Sequence, residues 1–169
     1  MIPTTLVVQI DTREKKPLLF PATLEVWTGR RQKIARVFIE RVRLDAGDYC
    51  LKDQRGCIVE RKGNLRELNT NLLNPVDSGR QARAFRRLSE ACDHPYLLVH
   101  TTTSDLLART EHNPEPGRLV QVMTRCLTKY GLSLLVAPRT SGAVAGRVLG
   151  TLILHIMVGH TNWDKEPLQ

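Results

Sequence analysis

The stretch GDYCLKDQRGCIVERKG, residues 47 to 63, decides how the rest of the chain is read. Two runs, Gly47 to Lys52 and Cys57 to Arg61, flank Asp53-Gln54-Arg55-Gly56, a set of turn-forming residues. The spacing predicts a β-hairpin. With a loop of Asp53-Gln54-Arg55 and Lys52 opposite Gly56, Asp48 falls across from Glu60, their β-carbons about 5 Å apart. Side chains alternate along a strand, so Glu60 and Lys62 share a face. Tyr49, Leu51, Cys57 and Val59 take the other face as a core set. The pairing requires an odd loop or a bulge, because a plain two-residue loop puts Arg61 opposite Asp48.

Two adjacent carboxylates repel unless a cation lies between them. Hard divalent ions such as Mg²⁺ take oxygen ligands and keep several waters. A lysine beside such a site orients or deprotonates a water, or offsets charge on an attacked phosphate. An Asp, a gap and then Glu-x-Lys is therefore a set suited to phosphodiester hydrolysis.

Outward from the hairpin, Thr5 to Ile10 is an apolar, β-branched run and reads as a strand. It ends in Asp11-Thr12-Arg13-Glu14. Lys15 to Gly29 contains two prolines and shows no clear period. Val37 to Leu44 reads as a second strand. After the hairpin, Leu65, Leu68 and Leu72 have helical spacing, which Pro75 and Gly79 interrupt. Arg80 to Cys92 has a clear 3.6-residue period, with Ala82, Phe85, Leu88 and Cys92 on one side and Arg80, Arg83, Arg86 and Arg87 on another. Tyr96 to Val99 is a short strand. A brief helix from Thr103 or Ser104 to Ala108 precedes the loop Glu111 to Gly117. Leu119 to Tyr130 fits a helix with Gly131 as its C-terminal cap. Leu132 to Val136 is a strand, and a last apolar helix starts near Ser141. The alternation of later strands with helices predicts an α/β fold, a mixed central sheet with helices on both faces.

Composition bounds the function. The chain has 169 residues, 41% apolar and 25% charged, as in a globular domain with its own core. Its net charge of +8 points to a polyanionic partner, nucleic acid first. The arginines of the Arg80–Cys92 helix then meet phosphates. Arg30, Arg31, Lys33 and Arg36 form a second basic cluster, either a DNA contact or a solvated loop. Aromatic residues make up 5%, and Trp27 and Trp163 fall outside the predicted strands. No stacking platform for single strands is expected from them. The four cysteines lack CxxC spacing, which argues against zinc. The N-terminus is no signal peptide, and reduced thiols suit an intracellular setting. The apolar run Gly142 to Gly159 is short for a membrane span and is broken by Arg147 and His155. With Gly146 and Gly150 four apart, it packs either a partner copy or its own core.

Asp11-Thr12-Arg13-Glu14 at a strand end, Gly47-Asp48-Tyr49 and Val59-Glu60-Arg61-Lys62 together resemble the nuclease domain of XPF-type structure-specific endonucleases. Those belong to the restriction-endonuclease-like PD-(D/E)xK superfamily. Ser78-Gly79-Arg80 and the strand Pro95 to Val99 also fit, and the resemblance covers roughly residues 5 to 137. It implies a restriction-endonuclease-like fold and a metal-dependent DNA endonuclease. Asp48 and Glu60 would be ligands of Mg²⁺, or of Mn²⁺ in its place. Asp11 would be a third acid, at the metal or one shell out, and Lys62 the water-orienting or phosphate-contacting base. Arg13, Arg61 and Arg80 match motif positions and, with Arg83 and Arg87, are expected at DNA. Where the family has an acid four positions after the lysine, Arg66 stands here, so either Glu67 takes that place or the role is absent.

The resulting expectation is a single stand-alone nuclease domain over residues 1–160, with a C-terminal tail at 161–169. The substrate is duplex or branched DNA. The later helix offers a homodimer surface by resemblance, no membrane is involved, and the location is cytoplasmic, bacterial or phage-encoded, or nuclear in a eukaryote. Two alternatives stay open: a non-catalytic DNA-binding module on the same fold, and a dimeric Holliday-junction resolvase.

Overall fold

The structure, a computed structural model, describes residues 3–28, 30–139 and 142–161. Its elements run β1 (Thr5–Asp11), β2 (Thr23–Thr28), β3 (Arg31–Val42), β4 (Tyr49–Leu51), β5 (Gln54–Lys62), α1 (Leu65–Leu73), α2 (Pro75–Ala91), β6 (His94–His100), α3 (Thr103–Leu107), α4 (Pro116–Tyr130), β7 (Ser133–Ala137) and α5 (Ala143–Gly159). The strands form one mixed sheet in the order β2-β3-β1-β4-β5-β6-β7. This is the expected α/β class. The chain clusters into two compact units, residues 1–44, 48–58 and 140–169 in one and residues 45–47 and 59–139 in the other.

In the first unit β1 is parallel to β3, from Thr5 opposite Arg36 to Asp11 opposite Val42, and antiparallel to β4. β2 is antiparallel to β3. Leu6, Val8 and Ile10 alternate into the core with Leu24, Val26, Ala35, Tyr49 and Leu51. β4 is buried at all three residues. Tyr49 uses its phenol oxygen to accept a bond from the Leu18 amide at 3.1 Å, which pins the strand to the segment before β2.

α5 packs against β2 and β4. Its glycines face its own chain: a side chain at Gly150 would collide with the Leu19 carbonyl, while Gly146 lies against the Leu19 side chain. Of the two uses read from the sequence, these glycines serve the intramolecular one. Val144, Val148 and Leu152 stay exposed on the helix. Among the described residues no helix is long and apolar enough to cross a membrane.

In the second unit β6 and β7 are parallel. α1 and α2 pack on each other and on α4, with Leu68, Leu72, Phe85, Leu88, Leu119 and Met123 buried. Phe85 and Tyr130 bring their rings to 6.1 Å. Gly131, at φ 63, ends α4 in the left-handed conformation that its place in the sequence predicts.

Three local expectations are corrected. First, the stretch Lys15 to Gly29 contains β2, with Leu24 and Val26 inward and Glu25 and Trp27 outward, so Trp27 lies in a strand. Second, Gly79 does not interrupt a helix. Asn74 caps α2 through the Val76 amide, Pro75 occupies its first turn, and the helix runs unbroken to Ala91. Third, β5 begins at Gln54, so the hairpin turn is Lys52-Asp53, with Asp53 at φ 61. Asp tolerates that conformation through its short polar side chain. The turn removes the three-residue loop on which the pairing of Asp48 with Glu60 was expected to rest. Gly56 is a strand residue, and a side chain there would collide with the His160 carbonyl. The expected helix start at Ser141, and Trp163 with the tail from 162 onward, lie outside the described residues.

Candidate active site

β5 ends in Glu60-Arg61-Lys62, and alternation sends Glu60 and Lys62 to one face and Arg61 to the other. Lys62 is buried at 5% exposure, and its Nζ donates to Glu60 Oε1 at 2.8 Å. A buried ammonium is stable only when paired. A second carboxylate helps: Glu67 Oε1 lies 3.9 Å from the same nitrogen.

The start of α1 fixes Glu67 there. Asn64 caps the helix, its Oδ1 accepting from the Glu67 amide at 2.8 Å, and Glu67 Oε2 accepts from the Gly63 amide at 2.9 Å. Arg66, one residue earlier, points into solvent. The acid beside the lysine is therefore Glu67. On the opposite face Arg61 Nε donates to His100 Nε2 at 2.8 Å. His100 ends β6 and is 5% exposed. No sequence signal joined it to Arg61; only the pairing of distant segments does.

At the end of β1, Asp11 is fully buried and accepts four hydrogen bonds. Oδ1 accepts from Arg13 N and Nε, both at 2.7 Å. Oδ2 accepts from Arg13 Nη2 and the Leu44 amide, both at 2.8 Å. Burial alone would raise the carboxyl. The Arg13 and Leu44 hydrogen bonds and the guanidinium charge outweigh it, holding Asp11 down to about 2. The Asp11 amide donates to the Asp48 carbonyl at 2.9 Å, so the backbone joins these two residues directly. Asp48 is half-buried, just ahead of β4 and after Gly47 at φ 68.

The carboxylates differ in what they offer a cation. A carboxylate has about four lone-pair sites, and the four bonds to Asp11 occupy that capacity. Glu60 spends Oε1 on Lys62 and keeps Oε2 outside that bond. Among the described residues no group of three or more His, Cys, Asp and Glu side chains could hold a metal ion. Mg²⁺ requires less, since it is commonly held by one or two carboxylates plus waters. Glu60 and Asp48 each carry hard oxygen donors of the type such an ion takes.

Arg80, Arg83, Arg86 and Arg87 are all exposed along α2. Arg80 pairs with Asp77 at 2.7 Å, one turn back. The other three form no ion pair among the described residues.

No family model matches the sequence, and no curated protein does. Solved structures do match in fold. XPF from Aeropyrum pernix superposes with a TM-score of 0.56 at 19% identity, over 93% of this chain and 69% of that one. The structure of XPF from Aeropyrum pernix in complex with DNA gives 0.54 at 21%, over 89% of this chain and 66% of that one. The chain thus has an XPF-like fold.

Proposed function

We propose that this chain is a metal-dependent endonuclease that hydrolyses DNA phosphodiesters, acting on duplex or branched DNA. The observation that carries the reading is the buried Lys62 held between Glu60 and Glu67 at the end of β5. Packing alone does not call for such a group, since an apolar side chain fills the same space without the desolvation cost, and buried charged clusters of this kind gather at functional sites. The likeness in fold to an XPF structure solved with DNA supports the same reading.

In this proposal Asp48 and Glu60 hold Mg²⁺ or Mn²⁺, which when bound supplies an acidified water and charge for the phosphoryl oxygens. Glu60 fixes the Lys62 ammonium through its 2.8 Å bond. Lys62 orients the attacking water or offsets the growing phosphate charge. Asp11 acts one step removed, by locking Arg13 and anchoring the backbone of Asp48. Exposed Arg83, Arg86 and Arg87 meet backbone phosphates.

The test is cleavage of labelled linear, flap, fork and four-way-junction DNA with Mg²⁺, Mn²⁺ or EDTA. The wild type runs beside Glu60→Ala and Lys62→Ala, with binding measured in parallel. Metal-dependent cuts lost in both variants while binding persists support the proposal. Binding without cuts by all three, under every metal, rejects it in favour of a binding module.

A further inference from the structure

The ribbon of β2 and β3 has an apolar outer face that nothing in the active-site reading uses. Its register sets Trp27 opposite Gln32, Glu25 opposite Ile34 and Thr23 opposite Arg36. Alternation then gathers Trp27, Ile34, Arg36 and Phe38 on one face. On the other face Leu24, Val26 and Ala35 are buried in the core, with Ile39 half-exposed at its far end. An outer sheet face is ordinarily polar. Here Trp27 is 57% exposed, Ile34 65% and Phe38 53%.

Cations accompany these side chains. Arg30 and Arg31 sit at the ribbon tip, and Arg36 lies on the outer face itself, all three exposed. None is in an ion pair among the described residues. Lys33, opposite Val26, belongs to the reverse face. Two acids share the outer face. Glu40 is occupied by Gln9 at 2.7 Å and Lys52 at 3.2 Å, which leaves Glu25 against three positive charges.

We propose that the outer face of the β2–β3 ribbon binds single-stranded nucleic acid, with Trp27 and Phe38 stacking on bases and Arg30, Arg31 and Arg36 on the phosphates. The charge selects a polyanion. The aromatic rings select an unpaired one, because bases in a duplex already stack on each other while a free base offers its face to Trp or Phe. From the level of Trp27 to Phe38 the ribbon spans about 20 Å at roughly 3.4 Å per residue, the reach of a short oligonucleotide. The face lies on different residues from the candidate active site, and binding there requires neither metal nor cleavage.

The test is fluorescence anisotropy in EDTA with a labelled ten-nucleotide oligo(dT) and a hairpin duplex of equal phosphate number. Trp27→Ala is expected to weaken oligo(dT) binding by about 5- to 150-fold, the range for loss of one stacked base, with duplex binding changed less than twofold. Phe38→Ala acts in the same direction. Arg30→Gln with Arg36→Gln lowers the salt dependence by about 0.7 for each phosphate no longer neutralised. In a Trp163→Phe background Trp27 is the one tryptophan left of two, and its emission is expected to be quenched by oligo(dT). Both aromatic positions are exposed, so the variants should keep the wild-type melting temperature. Unchanged oligo(dT) affinity in both aromatic variants, or equal losses on the duplex, would overturn the proposal. So would sedimentation showing a wild-type dimer that Trp27→Ala makes monomeric with oligo(dT) binding intact, since the face would then belong to a second copy. Loss of cleavage in Glu60→Ala bears on the active site alone and leaves this result independent.

Discussion

Lys62 Nζ and Glu60 Oε1 stand 2.8 Å apart on one face of β5, with the Lys62 side chain 6% exposed and that of Glu60 16%. Glu67 adds a second carboxylate near the same ammonium. This small charge network is the centre of the proposed chemistry, and several measurable consequences come from its neighbourhood.

Glu60→Gln should lower stability by about 1–3 kcal/mol, the range for a hydrogen bond to a charged group in a buried setting. Glu67 remains to hold Lys62, so the loss stays short of a fully orphaned buried charge. Lys62→Met should keep DNA affinity within about threefold and reduce cleavage by at least about 10²-fold, the scale of one electrostatic group in the transition state. Urea unfolding and single-turnover kinetics check the two statements. Cleavage retained by Lys62→Met would remove lysine from the mechanism.

Glu67 and Arg66 should separate cleanly. Glu67→Ala removes the bond to the Gly63 amide and the second acid beside Lys62. It should cost about 0.5–2 kcal/mol, as other losses at helix N-termini do, and lower cleavage. Arg66→Ala changes an exposed side chain and should stay within about 0.5 kcal/mol of wild type. Equal behaviour of the two variants would contradict the placement of Glu67 at the lysine.

Asp11 makes stability depend on acid. Its carboxyl lies at about 2 in the fold against an ordinary value of 3.8. A depressed folded value stabilises the protein at any pH above the ordinary value, and the gain is lost as pH falls from about 4 to about 2. The pH-dependent contribution is of order 2 kcal/mol. Asp11→Ala lacks it, so the gap between wild type and variant should narrow over that window. Urea unfolding at several pH values measures this, and a constant gap would argue against the Arg13–Asp11 geometry.

The two glycines of α5 should respond oppositely. A methyl group at Gly150 would meet the Leu19 carbonyl, a backbone atom with little freedom to move. Gly150→Ala should therefore cost about 1–3 kcal/mol from overpacking. At Gly146 the nearest contact is the Leu19 side chain at an ordinary 3.7 Å. Gly146→Ala should gain up to about 1 kcal/mol of helix propensity. Thermal melts of the two proteins decide it, and a destabilised Gly146→Ala would mean that the helix sits closer to its neighbour.

The α2 arginines should show themselves through salt. Removing Arg83, Arg86 or Arg87 should weaken duplex binding uniformly across sequences and reduce the salt slope by about 0.9 for each phosphate no longer neutralised. Arg80, already paired with Asp77, should contribute less. Affinity titrations at several salt concentrations test this, and unchanged slopes would place DNA elsewhere.

How much of this was legible in advance differs by element. The periodic helices, the strands around Val8 and Leu98, and the αL cap at Gly131 follow from side-chain spacing and local backbone preference, which the chain carries with it. β2 is hard to read from spacing because a short edge strand offers few inward residues, Leu24 and Val26 among them, and takes its hydrogen bonds from β3. Spacing misplaces the hairpin turn because Gly56 resembles a turn glycine. Its real constraint is the His160 carbonyl more than a hundred residues away. The bond from Arg61 to His100 was invisible for the same reason.

The sequence by itself determined the alternation that puts Glu60 and Lys62 on one face, the basic character of the surface, and the residues from which a hydrolytic site would be assembled. These are properties of strand geometry and of formal charge, and they need no partner segment. Tertiary structure decided the rest: that Glu67 and not Arg66 stands by the lysine, that Asp11 is committed to Arg13 and Leu44, and that Trp27 and Phe38 face outward among cations. Each depends on which distant segment comes to lie alongside, and local spacing carries no record of that.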